Sequence, residues 1–274
     1  MRELLETDRS RNTSASEQER LLVFSMQNPW FEIRRPRNEC PLRLFCFPFA
    51  GGNCSTYSEW PEALGDLAEV ICVQLPGRGI RFNERPYTRM EPLIDALVPA
   101  FRGLGGNPFA FFGHSMGALI AYEVSCRLRT IGVRQPVLFF ASGTEPPHLV
   151  QQGEGLYRWN DVDLIARLRR LNGMPDEILE NRELVDLLLP VIRADFELTE
   201  TYKASECPGF DFALGAFGGS DDPEVSPQII TRWSEVTSGK FQFTTIPGDH
   251  FFLKSRRSEL LDEIRKMIGA CVNA

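Results

Sequence analysis

At 274 residues, 43% of them hydrophobic, and with a formal net charge of −7, the chain is long enough to bury one large core. It lacks the basic excess that a nucleic-acid partner asks for, and no apolar run reaches the roughly 18 residues of a membrane span. The first 20 residues are charged and polar without a hydrophobic signal core, so a soluble cytoplasmic protein is expected.

Residues 1–38 are rich in Arg, Glu, Ser and Thr towards their start and read as an N-terminal arm, partly disordered, with a short helix over Glu17–Ser25. The main domain is expected over 39–274. Its first strand is the strongly apolar Leu42–Phe47, followed at once by the Gly-rich loop Pro48–Asn53. Further strands are expected at Val70–Leu75, Pro108–Phe112 and Pro136–Ala141, with helices around Glu91–Leu104 and Leu119–Ile131 between them. About 70 residues then separate Ala141 from the small-residue strand Phe212–Gly219, more than a single crossover needs. Within that span Asp163–Leu171 and Glu183–Leu189 carry apolar residues at helical spacing, so a helical insertion is expected over about 145–205. It could be a lid over a site or plain packing on the core, and apolar faces do not separate the two. A last strand at Phe241–Thr245 and a helix over Ser258–Cys271 close the chain. Strand and helix in alternation imply an α/β fold, a mostly parallel sheet with helices on both faces.

The most informative segment is Gly113-His114-Ser115-Met116-Gly117, a G-x-S-x-G nucleophile elbow standing between a buried strand and a helix, where such a turn exposes the serine hydroxyl. A serine hydroxyl is a weak nucleophile at neutral pH, so a histidine base and an orienting carboxylate are required. Three histidines are present. His114 lies inside the elbow, with its ring expected to point away from the neighbouring hydroxyl, and His148 follows Glu145-Pro146-Pro147 as a loop residue. His250, in the loop directly after the last strand, is the base by position. The carboxylate should fall between serine and histidine in chain order. Ser220-Asp221-Asp222-Pro223 ends the strand at Phe212–Gly219, and the spacing from Gly219 to Val225 favours Asp222 over Asp221, whose alternative role is a solvated turn residue. An oxyanion hole needs backbone N–H donors. One is expected from Met116, and a second from Phe49 or Ala50 in the Gly-rich loop.

Seven cysteines form no C-x-x-C pair and leave an odd one over, so neither a disulfide framework nor a metal site is expected, and Cys46 and Cys72 read as buried reduced thiols.

Together, Phe47–Gly52, Leu75-Pro76-Gly77-Arg78, Pro108–Gly117, Pro190–Asp195 and Gly248–Leu253 resemble the discrete type II thioesterases that serve polyketide, nonribosomal peptide and animal fatty acid synthases. The resemblance spans the chain from about Leu42 onward. It implies an α/β-hydrolase fold with a lid, and hydrolysis of acyl thioesters on the phosphopantetheine arm of an acyl or peptidyl carrier protein through an acyl-serine. It implies no cofactor beyond the arm that the substrate brings, and a transient partner to an enzyme expected to be a monomer. A related esterase or acyltransferase would use the same triad, and an inactive hydrolase-like binding protein is the third reading. Carrier proteins are acidic, so a local basic patch would be needed for docking. Candidates are Arg78, Arg81, Arg85 and Arg89, and Lys254, Arg256 and Arg257. Arg78 is offered both as a substrate or carrier contact and as half of a structural ion pair.

Overall fold

The computed structural model describes residues 28–37, 39–104 and 106–272. Most of the expected arm, including the helix at Glu17–Ser25, lies outside the described residues. Among the described residues seven strands form one sheet in the order β1-β3-β2-β4-β5-β6-β7. They are β1 (Phe31–Glu32), β2 (Leu42–Phe47), β3 (Ala68–Val73), β4 (Phe109–His114), β5 (Leu138–Ser142), β6 (Ala213–Gly219) and β7 (Phe241–Ile246). Only β1 runs antiparallel, pairing Phe31 with Val73 and Glu32 with Cys72. The sheet thus reaches into the segment assigned to the arm, because a two-residue edge strand is too short to show any periodicity.

The inner strands read as largely apolar runs because both faces are covered, the charges of Arg43 in β2 and Glu69 in β3 being paired with each other at 3.3 Å. Alternation still sorts the side chains. Phe45, Phe47, Phe109 and Phe111 enter one core cluster with α1 (Met90–Phe101) and α2 (Met116–Thr130). Leu44, Cys46, Ala110 and Phe112 enter the other, beneath α5 (Arg257–Val272) and the helical turn at Trp60–Ala63. Between β5 and β6 come α3 (Asp161–Arg170) and α4 (Arg182–Glu200). The side chains of Asn160 and Asn181 cap their first turns by accepting from the N–H groups of Asp163 and Leu184. These helices share a small core of their own, with Leu164, Leu168, Leu189 and Ile192 among its members. Among the described residues no helix is long and apolar enough to cross a membrane.

The cysteine expectation is corrected at one pair. Cys54 and Cys72 are joined as a disulfide, 18 residues apart in sequence. Cys54 opens the helical turn after the Gly-rich loop and Cys72 lies in β3. They meet only because β3 lies beside β2, a register that spacing alone does not disclose. Cys46 is a buried free thiol, as expected.

Phe112 tests the second cluster, since its ring lies 4.7 Å from that of Trp60 and is fully buried. Phe112→Ala should cost about 3–5 kcal/mol in urea denaturation with an unchanged slope. A loss below about 1 kcal/mol would show that this face is not tightly packed.

Candidate active site

Ser115 sits between β4 and α2 with φ 52° and ψ −120°. A non-glycine residue in this region is strained by about 1–3 kcal/mol, so its surroundings must hold it. The Ser115 N–H donates to the Ser142 carbonyl at 2.8 Å, and the Ser115 carbonyl accepts from the Ala118 N–H at 2.9 Å. Both flanking glycines are needed for space. A Cβ at Gly117 would collide with the Phe47 carbonyl of β2, and one at Gly113 with the backbone of Gly117 and Ala118.

His250 stands in the loop after β7, 7% exposed, and its Nδ1 lies 2.8 Å from Asp222 Oδ2. The carboxylate of Asp222 is fully enclosed. Its second oxygen, Oδ1, accepts from the N–H groups of Glu224 at 2.8 Å and Val225 at 3.3 Å, which fixes the carboxylate before it meets the imidazole. Asp221 points elsewhere, accepting from Ser220 Oγ at 2.8 Å on the exposed side of the turn. The structure therefore brings His250 to Asp222 and leaves Asp221 in the turn.

Ser115 and His250 line one cavity of about 530 Å³. No hydrogen bond joins the Ser115 hydroxyl to His250 among the described residues; such contacts commonly tighten only when substrate is bound. Phe49 and Ala50 line the same cavity. The N–H groups of Phe49, Ala50 and Met116 have no partner among the described residues, whereas that of Gly51 is taken by Asp195. The insertion supplies much of the opposite wall, with Leu168 of α3, Leu171 just beyond it, and Ile192 and Phe196 of α4.

His114 is buried in the expected sense, away from its neighbour's hydroxyl. Its Nδ1 pairs with Ser142 Oγ at 2.9 Å, its ring centroid lies 5.1 Å from that of His250, and burial pushes its pKa well below the usual imidazole range. It is therefore uncharged at neutral pH and does not oppose a positive charge on His250. His148 is an exposed loop residue beside Glu235, at 2.9 Å.

A nucleophile elbow, an Asp-held histidine on a late loop and a helical insertion on one cavity match a recorded family. The thioesterase domain model fits residues 42–268. The chain belongs to the thioesterase family. This thioesterase is 36% identical to the gramicidin S biosynthesis protein GrsT of Aneurinibacillus migulanus, across 90% of this chain and 97% of that one. Among solved structures, RedJ, a thioesterase of the prodiginine pathway of Streptomyces coelicolor, is 40% identical with a TM-score of 0.80, covering 86% of this chain and 94% of its own. BorB, the type II thioesterase of the borrelidin cluster, is 34% identical with a TM-score of 0.81, covering 88% and 98%. The thioesterase has the α/β-hydrolase fold that the resemblance implied.

The basic residues expected to form a docking patch are mostly occupied within the thioesterase itself. Arg81 pairs with Glu84, Arg89 with Glu197, Arg256 with Glu259 and Arg257 with Glu59. Lys254 donates to the Gly173 carbonyl at 2.8 Å and lies over the rings of Phe49 and Phe251. Only Arg85 of the seven has no such partner among the described residues. Arg78 is not placed to touch a carrier. It is 6% exposed, because its guanidinium grips Asp195 of α4 through two hydrogen bonds, at 2.7 and 2.8 Å.

Asp195 is the residue that sequence reasoning left without a role, although it closes the quoted Pro190–Asp195 segment. Asp195 Oδ2 also accepts from the Gly51 N–H at 2.7 Å, and Arg78 Nη1 donates to the Gly52 carbonyl at 3.0 Å. One buried ion pair thus ties the insertion to the loop that offers Phe49 and Ala50. Asp195→Ala would strand the Arg78 charge and should cost about 3–5 kcal/mol. The double variant Arg78→Met, Asp195→Leu should regain much of that stability, yet label slowly with a fluorophosphonate because the loop has lost both anchors. Wild-type labelling rates in the double variant would show that the pair only stabilises the fold.

Proposed function

We propose that the thioesterase hydrolyses acyl groups from the phosphopantetheine arm of acyl or peptidyl carrier proteins. The observation that carries this reading is the meeting of Ser115 and the Asp222-held His250 on one partly apolar cavity, in a chain so similar to RedJ and BorB. In the proposed mechanism His250 Nε2 takes the Ser115 proton as Oγ attacks the thioester carbonyl. Asp222 fixes the tautomer and offsets the charge that forms on the imidazole. The N–H groups of Met116 and of Phe49 or Ala50 hold the oxyanion. The C–S bond breaks, the thiol leaves with the proton from His250, and the acyl group stays on Ser115. Water, deprotonated by the same histidine, then cleaves the ester, releasing a free acid and restoring the serine. The side chains suffice for this chemistry, and the arm enters with the substrate rather than as a resident cofactor.

The enzyme works, on this reading, as a cytoplasmic monomer that meets its carrier transiently. The net charge of −7 and the internal pairing of its basic side chains favour docking by short-range fit over long-range attraction to an acidic carrier.

An acyl group on a phosphopantetheinylated carrier protein should turn over with a kcat/KM at least about tenfold above that of an oxygen ester of the same chain, since thiolate is the better leaving group. Ser115→Ala should fall to background, and Asp222→Asn should lose about 10²–10⁴-fold in kcat. Faster cleavage of the oxygen ester, or full activity in Asp222→Asn, would overturn the assignment.

A further inference from the structure

The cavity carries one charge that hydrolysis does not use. Glu145 follows the turn at Gly143-Thr144 beyond β5 and lines the cavity together with Ser115 and His250. It is half-buried, and its carboxylate has no hydrogen bond or ion pair among the described residues. The other acidic side chains at the site are engaged. Glu224 pairs with Arg167 at 2.5 Å, and Asp222 holds His250. Burial pushes the Glu145 carboxyl above its ordinary range, and no cation among the described residues opposes the shift.

An unpaired carboxylate in a cavity also lined by Val150, Leu168 and Met174 is a liability for a plain hydrocarbon chain. It would be desolvated by the substrate and receive nothing in return. A protonated amine reverses the balance, because it supplies the missing donor and counter-charge where solvent is partly excluded. The remaining wall stays apolar enough to hold the carbon skeleton of the same acyl group.

We propose that Glu145 is a specificity-determining residue that selects acyl groups bearing a protonated amine, as aminoacyl and peptidyl thioesters do. This inference rests on the thioesterase reading for its substrate class. Its test reads binding rather than turnover. In the Ser115→Ala protein, calorimetry would compare leucyl-pantetheine with its deamino analogue 4-methylpentanoyl-pantetheine, and 6-aminohexanoyl-pantetheine with its isostere heptanoyl-pantetheine. Each ligand is used as the amide analogue in which NH replaces sulfur.

In at least one pair the amine should bind about tenfold more tightly, the worth of one hydrogen bond to a charged group. Adding Glu145→Gln should bring that ratio to near one, and Glu145→Asp should keep part of it. Each protein is compared with itself, so a general loss of affinity cancels. Equal affinities within both pairs, or a preference that survives Glu145→Gln, would overturn the proposal. Failure of the thioesterase reading would appear instead as absent thioester hydrolysis by the wild-type enzyme, whatever the binding ratios.

Discussion

The site hangs on the left-handed backbone of Ser115, φ 52°. That geometry turns the chain from β4 into α2 within one residue and leaves the hydroxyl facing a cavity while its neighbours are buried. It persists because the fold closes around it. Helix α2 crosses β2 and β4 so closely that glycine is the only residue that fits at 113 and 117, and the Ser142 carbonyl at the end of β5 holds the serine's own N–H. Strain of this kind is stored locally and sustained by the packed sheet on either side.

A second constraint couples the nucleophile's surroundings to the insertion. The Arg78–Asp195 pair spans the loop after β3 and helix α4, and its spare valences reach the backbone of Gly51 and Gly52. A buried ion pair contributes little net stability against apolar residues of equal volume. Here it ties the Gly-rich loop that carries Phe49 and Ala50 to α4, which lines the cavity's opposite wall. Two walls of the cavity are therefore joined by the same contact.

Much of this was legible in the sequence because chemistry and topology agree along the chain. The elbow pointed to Ser115, the loop after the last strand to His250, and the spacing after β6 to Asp222 over Asp221; in the structure it is Asp222 that lies against His250. The inner strands β2 to β5 appeared as largely apolar runs because parallel strands are covered on both faces, whereas the edge strand β7 mixes Phe with Gln and Thr and is only half covered. What stayed hidden depends on distant segments meeting. Asp195 lies 117 residues from Arg78, and nothing local announces that a helical carboxylate will serve a loop beyond another strand. Cys54 and Cys72 meet through sheet register. The expected basic patch dissolved for the same reason, since the acidic partners of Arg89 and Arg257 come from elements far away in sequence.

The central claim is covalent: the serine displayed by the strained turn carries the acyl group between two half-reactions. Its most direct test is acid quenching of the enzyme within milliseconds of mixing with an acyl-pantetheine thioester, followed by mass-spectrometric mapping of the modified peptide. The acyl group should be found on Ser115, within the peptide joining β4 to α2. An acyl group mapped to any other side chain would contradict the account.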